Sequence, residues 1–164
     1  MKKRGQINLS FGMIFSIILI IAFMAVAFYA INMFLDLKDK TAKAQFVEDF
    51  EEKVLELHRS SILGASYIFE ESIPGNVEKV CFWDSSKSTT GSDKGIVSEL
   101  KRVSNVHNFY FYPRNSALPS VEIKYIDMDS FTSNPYCINV AEEKIKIFLE
   151  KKEGSSLISV SKVV

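Results

Sequence analysis

Two cysteines are the residues of this chain with the clearest capacity for chemistry. Cys81 stands in Val80-Cys81-Phe82 and Cys137 in Tyr136-Cys137-Ile138, each inside a short apolar run of strand character. The pair forms either a disulfide or two buried thiols. A bond spanning the separation of 56 residues would stabilise the fold by about 4 kcal/mol on the chain-entropy argument, and it persists only in an oxidising compartment. The choice therefore depends on which side of a membrane the pair occupies. The remaining soft ligands, His58 and His107, lie far from the cysteines and from each other, with no C-x-x-C or H-x-x-x-H to hold two ligands on one local framework, so no metal site is expected.

Nucleophilic catalysis has equally little to build on. There is no G-x-S-x-G and no G-x-x-x-x-G-K-[ST], and the serines concentrate in Asp84-Ser-Ser-Lys-Ser-Thr-Thr-Gly-Ser-Asp-Lys94, an apolar-free run that reads as an exposed loop unable to hold a base beside them. The pairs Glu70-Glu71 and Glu142-Glu143 are ordinary solvated carboxylates. Phe109-Tyr110-Phe111-Tyr112 reads as a strand with Phe inward and Tyr at the margin, or else as a stacking face. Asn8-Leu9-Ser10 is the one N-x-[ST] sequon and lies at the edge of the apolar stretch. These features point away from an enzyme and from any cofactor. A net charge of +0 over 164 residues gives no footprint for nucleic acid.

The elements that carry these residues divide sharply by position. From Gly5 to Leu35 there is no charged residue, and Ile7 to Leu35 far exceeds the roughly 20 helical residues that cross a bilayer. A cleavable secretory signal would use Ala25-Val26-Ala27, but the apolar run continues past that cut through Phe28 to Leu35. A buried helix of a soluble protein would carry polar residues on one face. A retained membrane anchor accounts for the segment best, with the lipid bilayer as its first partner. Lys2, Lys3 and Arg4 precede it, whereas all 20 acidic residues follow it. The positive-inside rule then predicts a single-pass protein of the cell membrane, with a cytoplasmic N-terminus and the C-terminal part outside, where Cys81 and Cys137 would be free to pair.

Past the anchor, Phe46, Phe50, Val54 and Leu57 recur at helical spacing among acidic and basic residues, and Ile62, Ala65, Ile68 and Phe69 continue the stripe. This predicts an amphipathic helix over 36–73, unbroken or bent near Gly64, ending at Pro74-Gly75. Six strands are expected beyond it, at 77–83, 108–112, 121–126, 136–140, 144–151 and 157–163, with a short helix over 96–103 and a terminal hairpin around Gly154. The anticipated plan is α+β. A basic leader (1–6) and transmembrane helix (7–35) lead into an amphipathic helix (36–73), which packs on a mostly antiparallel β-rich head (74–164).

The start Lys2-Lys3-Arg4-Gly5-Gln6, followed at once by a long apolar helix and then a folded part, resembles archaeal type IV pilin-like proteins. In that family a prepilin-type peptidase cuts the basic leader before a glutamine, and the exposed helix packs against its neighbours to form a filament core. The resemblance implies processing between Gly5 and Gln6, assembly with copies of itself or other pilin-like subunits, and a pilin-like plan of helix on β-rich head. The family pattern has Ser two residues after the glutamine, Glu two later and Leu four beyond, where this chain has Asn8, Ser10 and Ile14. The family glutamate offsets the new terminal amine of an adjacent subunit, a role for which serine lacks the charge. Gly12-x-x-x-Ser16 supplies small residues that let two helices approach in lipid. Two functions are therefore anticipated: a structural or minor subunit of a type IV pilus-like or secretion-like filament, or an uncleaved single-pass anchor presenting a small binding head.

Overall fold

The computed structural model describes residues 11–62, 64–73, 77–102, 106–113 and 120–163. One helix, α1, runs Phe11–Arg59. The chain divides into two compact units at Lys38 and Asp39. In the first unit every described residue is helical and exposed. Among the described residues the second unit holds α1 from Asp39 onward, seven strands and a second short helix, and all of the buried apolar side chains.

Within the second unit α1 turns Phe46, Val47, Phe50, Val54 and Leu57 inward, the stripe that its spacing of 4, 4 and 3 residues dictates. The helix ends at Arg59, where the chain leaves through Ser60 and Gly64 takes a φ of 72°. Its last turn is closed by a side chain from elsewhere: the Lys151 ammonium donates to the carbonyls of His58 at 2.7 Å and Ser60 at 2.6 Å, replacing the partners those groups lose at a helix end.

The helix expected over 36–73 is therefore corrected. Residues Ser66–Ser72 form a strand, β1, paired antiparallel with Lys144–Lys151 (β6). Ile62, Ala65, Ile68 and Phe69 fit a helical period by coincidence; Tyr67, Ile68 and Phe69 are aromatic and branched residues that suit a pleated surface, and Gly64 breaks the helix before them.

Two antiparallel sheets result. The first has the order β1-β6-β7, with β7 at Ile158–Lys162. The second has the order β4-β3-β2-β5, from Ser120–Val121 (β4), Phe109–Tyr112 (β3), Lys79–Phe82 (β2) and Tyr136–Asn139 (β5). The helix expected over 96–103 is a 3-10 turn at Ser92–Ile96 followed by a single α turn, α2, at Val97–Leu100.

The strand expected over 121–126 is cut to Ser120–Val121. Beyond it the Asn108 side chain takes the place of a neighbouring strand, donating to the Ile123 carbonyl and accepting from its N–H, both at 2.8 Å. Tyr125 then adopts a φ of 66°, and Ile126 bridges singly to Ile158.

The main core joins α1 to both sheets through Phe46, Phe50, Phe69, Val80, Phe82, Phe109 and Phe111 among others. A smaller core lies on the other face of the second sheet, where Cys81, Trp83, Tyr110 and Cys137 meet Val97 and Leu100 of α2. The second sheet is thus covered on both faces, which places Tyr110 inside and not at the margin. Strand alternation sends Phe109 and Phe111 to α1 and Tyr110 to α2, and all three are at most 1% exposed.

Candidate functional site

Three features of the described residues carry functional weight. The first is the apolar surface of α1. Nineteen of the 26 large apolar side chains that stand exposed lie between Phe11 and Leu37. Soluble monomers rarely expose a contiguous apolar patch of this size, and the helix is long and apolar enough to cross a membrane. Gly12 and Ser16 both lie on it, where the Ser16 hydroxyl donates to the Gly12 carbonyl at 2.8 Å. That bond satisfies the hydroxyl within its own helix, so what the pair offers a neighbouring helix is small size. Gly5 and Gln6 lie outside the described residues.

The second feature is the disulfide. Cys81 and Cys137 stand directly opposite each other on β2 and β5, their Cα atoms 4.0 Å apart, and are joined by an S–S bond. The parity of the ladder explains why these positions can be bridged. Val140 N–H bonds the Glu78 carbonyl at 2.8 Å, so the hydrogen-bonded pairs of this ladder fall on even residues and Cys81 with Cys137 forms a close non-bonded pair. Both cysteines are at most 2% exposed and lie under Trp83, whose ring meets Tyr110 edge-on at 5.6 Å. The Trp83 indole N–H is buried and finds no acceptor among the described residues. The cluster is structural in character: buried sulfurs without a thiol between them have no nucleophile to offer.

The third feature is the serine-rich loop. It is exposed, as its composition implies, but it is not loose. Asn134 organises it: its Oδ1 accepts from the Asp84 N–H at 2.9 Å, and its Nδ2 donates to the Asp84 carbonyl at 2.8 Å and to those of Lys87 and Ser88 at 3.3 Å. Thr90 completes the clasp, its N–H on the Asn134 carbonyl at 2.8 Å and its hydroxyl accepting from the Asn134 N–H at 3.0 Å. Gly91 passes so close that a Cβ there would lie 2.6 Å from the Ser133 Cβ. Asp84 is held below its usual carboxylate range by the Ser86 hydroxyl first, with the Ser86 N–H and Lys87 adding to the effect. The Lys87 ammonium reaches Asp129 and the Met128 carbonyl. Sequence reasoning missed Asn134, which acts across 50 residues of chain and leaves no local pattern.

The histidines take structural posts. His58 stacks on Tyr125 with ring centroids 3.9 Å apart and sets Nδ1 2.6 Å from the Ser156 carbonyl, so Nδ1 carries the proton. His107 Nδ1 meets the Ser120 hydroxyl at 2.7 Å. Lys43, at 2% exposed, is the one buried charged side chain among the described residues; burial pulls its ammonium below the usual lysine range, with Asp39 opposing. No group of three or more potential metal ligands occurs among the described residues. In comparisons with known proteins, no family model, no curated protein and no solved structure matches the chain.

Proposed function

We propose that this chain is a membrane-anchored structural or minor subunit of a type IV pilus-like or secretion-like filament. The observation that carries the reading is the exposed apolar surface of α1 from Phe11 to Leu37, on the same helix whose later residues back a β-rich head. Such a surface is at home in lipid or among like helices and nowhere in water. The leader ending at Gly5-Gln6 supports the filament, because cutting there would release a helix of this kind from its basic start. The three cations before the span support a cytoplasmic N-terminus, and the bonded state of Cys81 with Cys137 supports an oxidising, exterior location for the head.

A second reading, an uncleaved anchor presenting a binding head, is favoured by Ser10, which cannot neutralise a neighbour's terminal amine as the family glutamate does. Mass spectrometry of the mature N-terminus, on protein from its native membrane, separates the two. A chain beginning at Gln6 is the expected result; an intact Met1 or Lys2 overturns the filament reading and leaves the anchor.

A further inference from the structure

Strand β1 is the open edge of its sheet, and its backbone shows which groups are unused. Ile73 N–H bonds the Glu143 carbonyl at 2.8 Å, and Lys151 N–H bonds the Ala65 carbonyl at 2.9 Å. Both pairs fit the register Ser66↔Glu150 to Ser72↔Lys144, so the odd residues of β1 spend their hydrogen bonds on β6. The N–H and C=O groups of Ser66, Ile68, Glu70 and Ser72 therefore point away from the sheet, and no described group pairs with them. The other outer strand is closed differently: at β7 the Ile158 N–H bonds the Tyr125 carbonyl, the Ile158 carbonyl accepts from Asp127 N–H, and the Lys162 N–H reaches the Tyr136 hydroxyl.

Sheet edges of this kind are ordinarily blunted by Pro, by charged side chains, Lys above all, or by a bulge. β1 has no Pro, no Lys and no break in its register with β6, and its charges are both acidic: Glu71, and Glu70, whose carboxylate meets the Lys146 ammonium of β6 at 3.0 Å and keeps a second oxygen for a cation on the open side. Its exposed apolar side chains are Tyr67 and Ile68, at 43% and 51%, with the Lys53 ammonium 5.4 Å from the Tyr67 ring centre.

We infer that the β1 edge receives an extended segment of another polypeptide as an added antiparallel strand, one with two adjacent basic residues opposite Glu71 and Glu70 and branched or aromatic residues opposite Ile68 and Tyr67. Main-chain bonds from four residues supply the attraction, and the acid-then-apolar order supplies the direction and register. A second copy of β1 is the competing occupant, and its side chains oppose it. Two antiparallel copies in full overlap, with even residues facing even residues, set Glu70 of each against Ile68 of the other and Glu71 against Tyr67, acid on apolar, where a basic segment would meet both carboxylates.

The test uses the full chain in detergent micelles with the heptapeptide Thr-Lys-Lys-Val-Val-Tyr-Thr at millimolar concentration, read by amide hydrogen exchange and by mass in solution. The expected result is slowing of exchange by about tenfold or more at Ser66, Ile68, Glu70 and Ser72, with about tenfold weaker binding of the peptide carrying Glu in place of both Lys. The variant Ile68→Pro removes one outward N–H without touching the β6 ladder, so it should fold normally and lose the peptide. Unchanged exchange at these four amides overturns the proposal. Slow exchange at the same amides without peptide, at twice the monomer mass, overturns it in favour of self-pairing. Neither outcome bears on where the mature N-terminus lies, so the filament reading is decided separately.

Discussion

The Tyr110 phenol sits at 0% exposure on the α2 side of the second sheet and donates to the His107 carbonyl at 2.6 Å. Burial pushes it up to about 12 from the ordinary 10. In the unfolded chain the phenol gives up its proton near pH 10, whereas the folded chain keeps it until about 12. Between those values the unfolded state binds fewer protons, so the contribution of Tyr110 is fully present below pH 10 and is lost as pH rises toward 12. Tyr110→Phe removes the hydrogen bond and should cost about 1 kcal/mol at neutral pH. Urea midpoints of the two proteins should then converge as pH rises from 10 to 12; a gap that stays constant over that range would show that the buried phenol is not what titrates. The alternation of Phe and Tyr placed this residue at the margin, because its burial depends on α2, a single turn whose position over the sheet is set by tertiary packing.

At the scale of elements, the central contact is α1 against both sheets, and Phe50 is its pivot. Its ring lies 5.2 Å from Phe69 of β1, 6.1 Å from Phe82 of β2 and 5.5 Å from Phe109 of β3. Phe50→Ala should cost about 3–5 kcal/mol, since three strands and a helix cannot all collapse into the space, while Glu48→Ala on the exposed face should stay within about 0.5 kcal/mol. Thermal unfolding of the two variants checks this, and a small loss for Phe50 would mean the helix is not the lid of both sheets. The stripe that places Phe50 was legible, because a period near 3.6 among charged residues has one physical meaning. So were β5, β6 and β7, each bounded by turn residues, and so was the place of Cys81 and Cys137 in two strands, though not that β2 and β5 are neighbours that set the two sulfurs opposite each other. The end of α1 was not legible, because Ile62, Ala65, Ile68 and Phe69 prolong the helical spacing by coincidence; the last turn is closed by Lys151, reaching back some ninety residues. The division into two sheets was equally hidden, since pairing order is a property of the whole chain.

For the molecule as a whole, the exposed apolar side chains and the buried ones belong to different units. Among the described residues every buried apolar side chain lies at or beyond Phe46, and the first unit, ending at Lys38, supplies none of them. The described core of the second unit is therefore drawn from that unit's own residues. A chain beginning at Asp39 should fold in water without detergent, with the Cys81–Cys137 bond formed and a thermal midpoint within a few degrees of that of the full chain in micelles, because no core contact has been removed. The helical signal from α1 residues beyond Asp39 should persist, since their stability comes from the buried stripe and not from length. The full chain, by contrast, should precipitate or associate without detergent. Circular dichroism and size-exclusion chromatography distinguish the outcomes. An unfolded or molten fragment would mean that the apolar helix contributes to the head after all, and that the partition seen in burial is not a partition in energy.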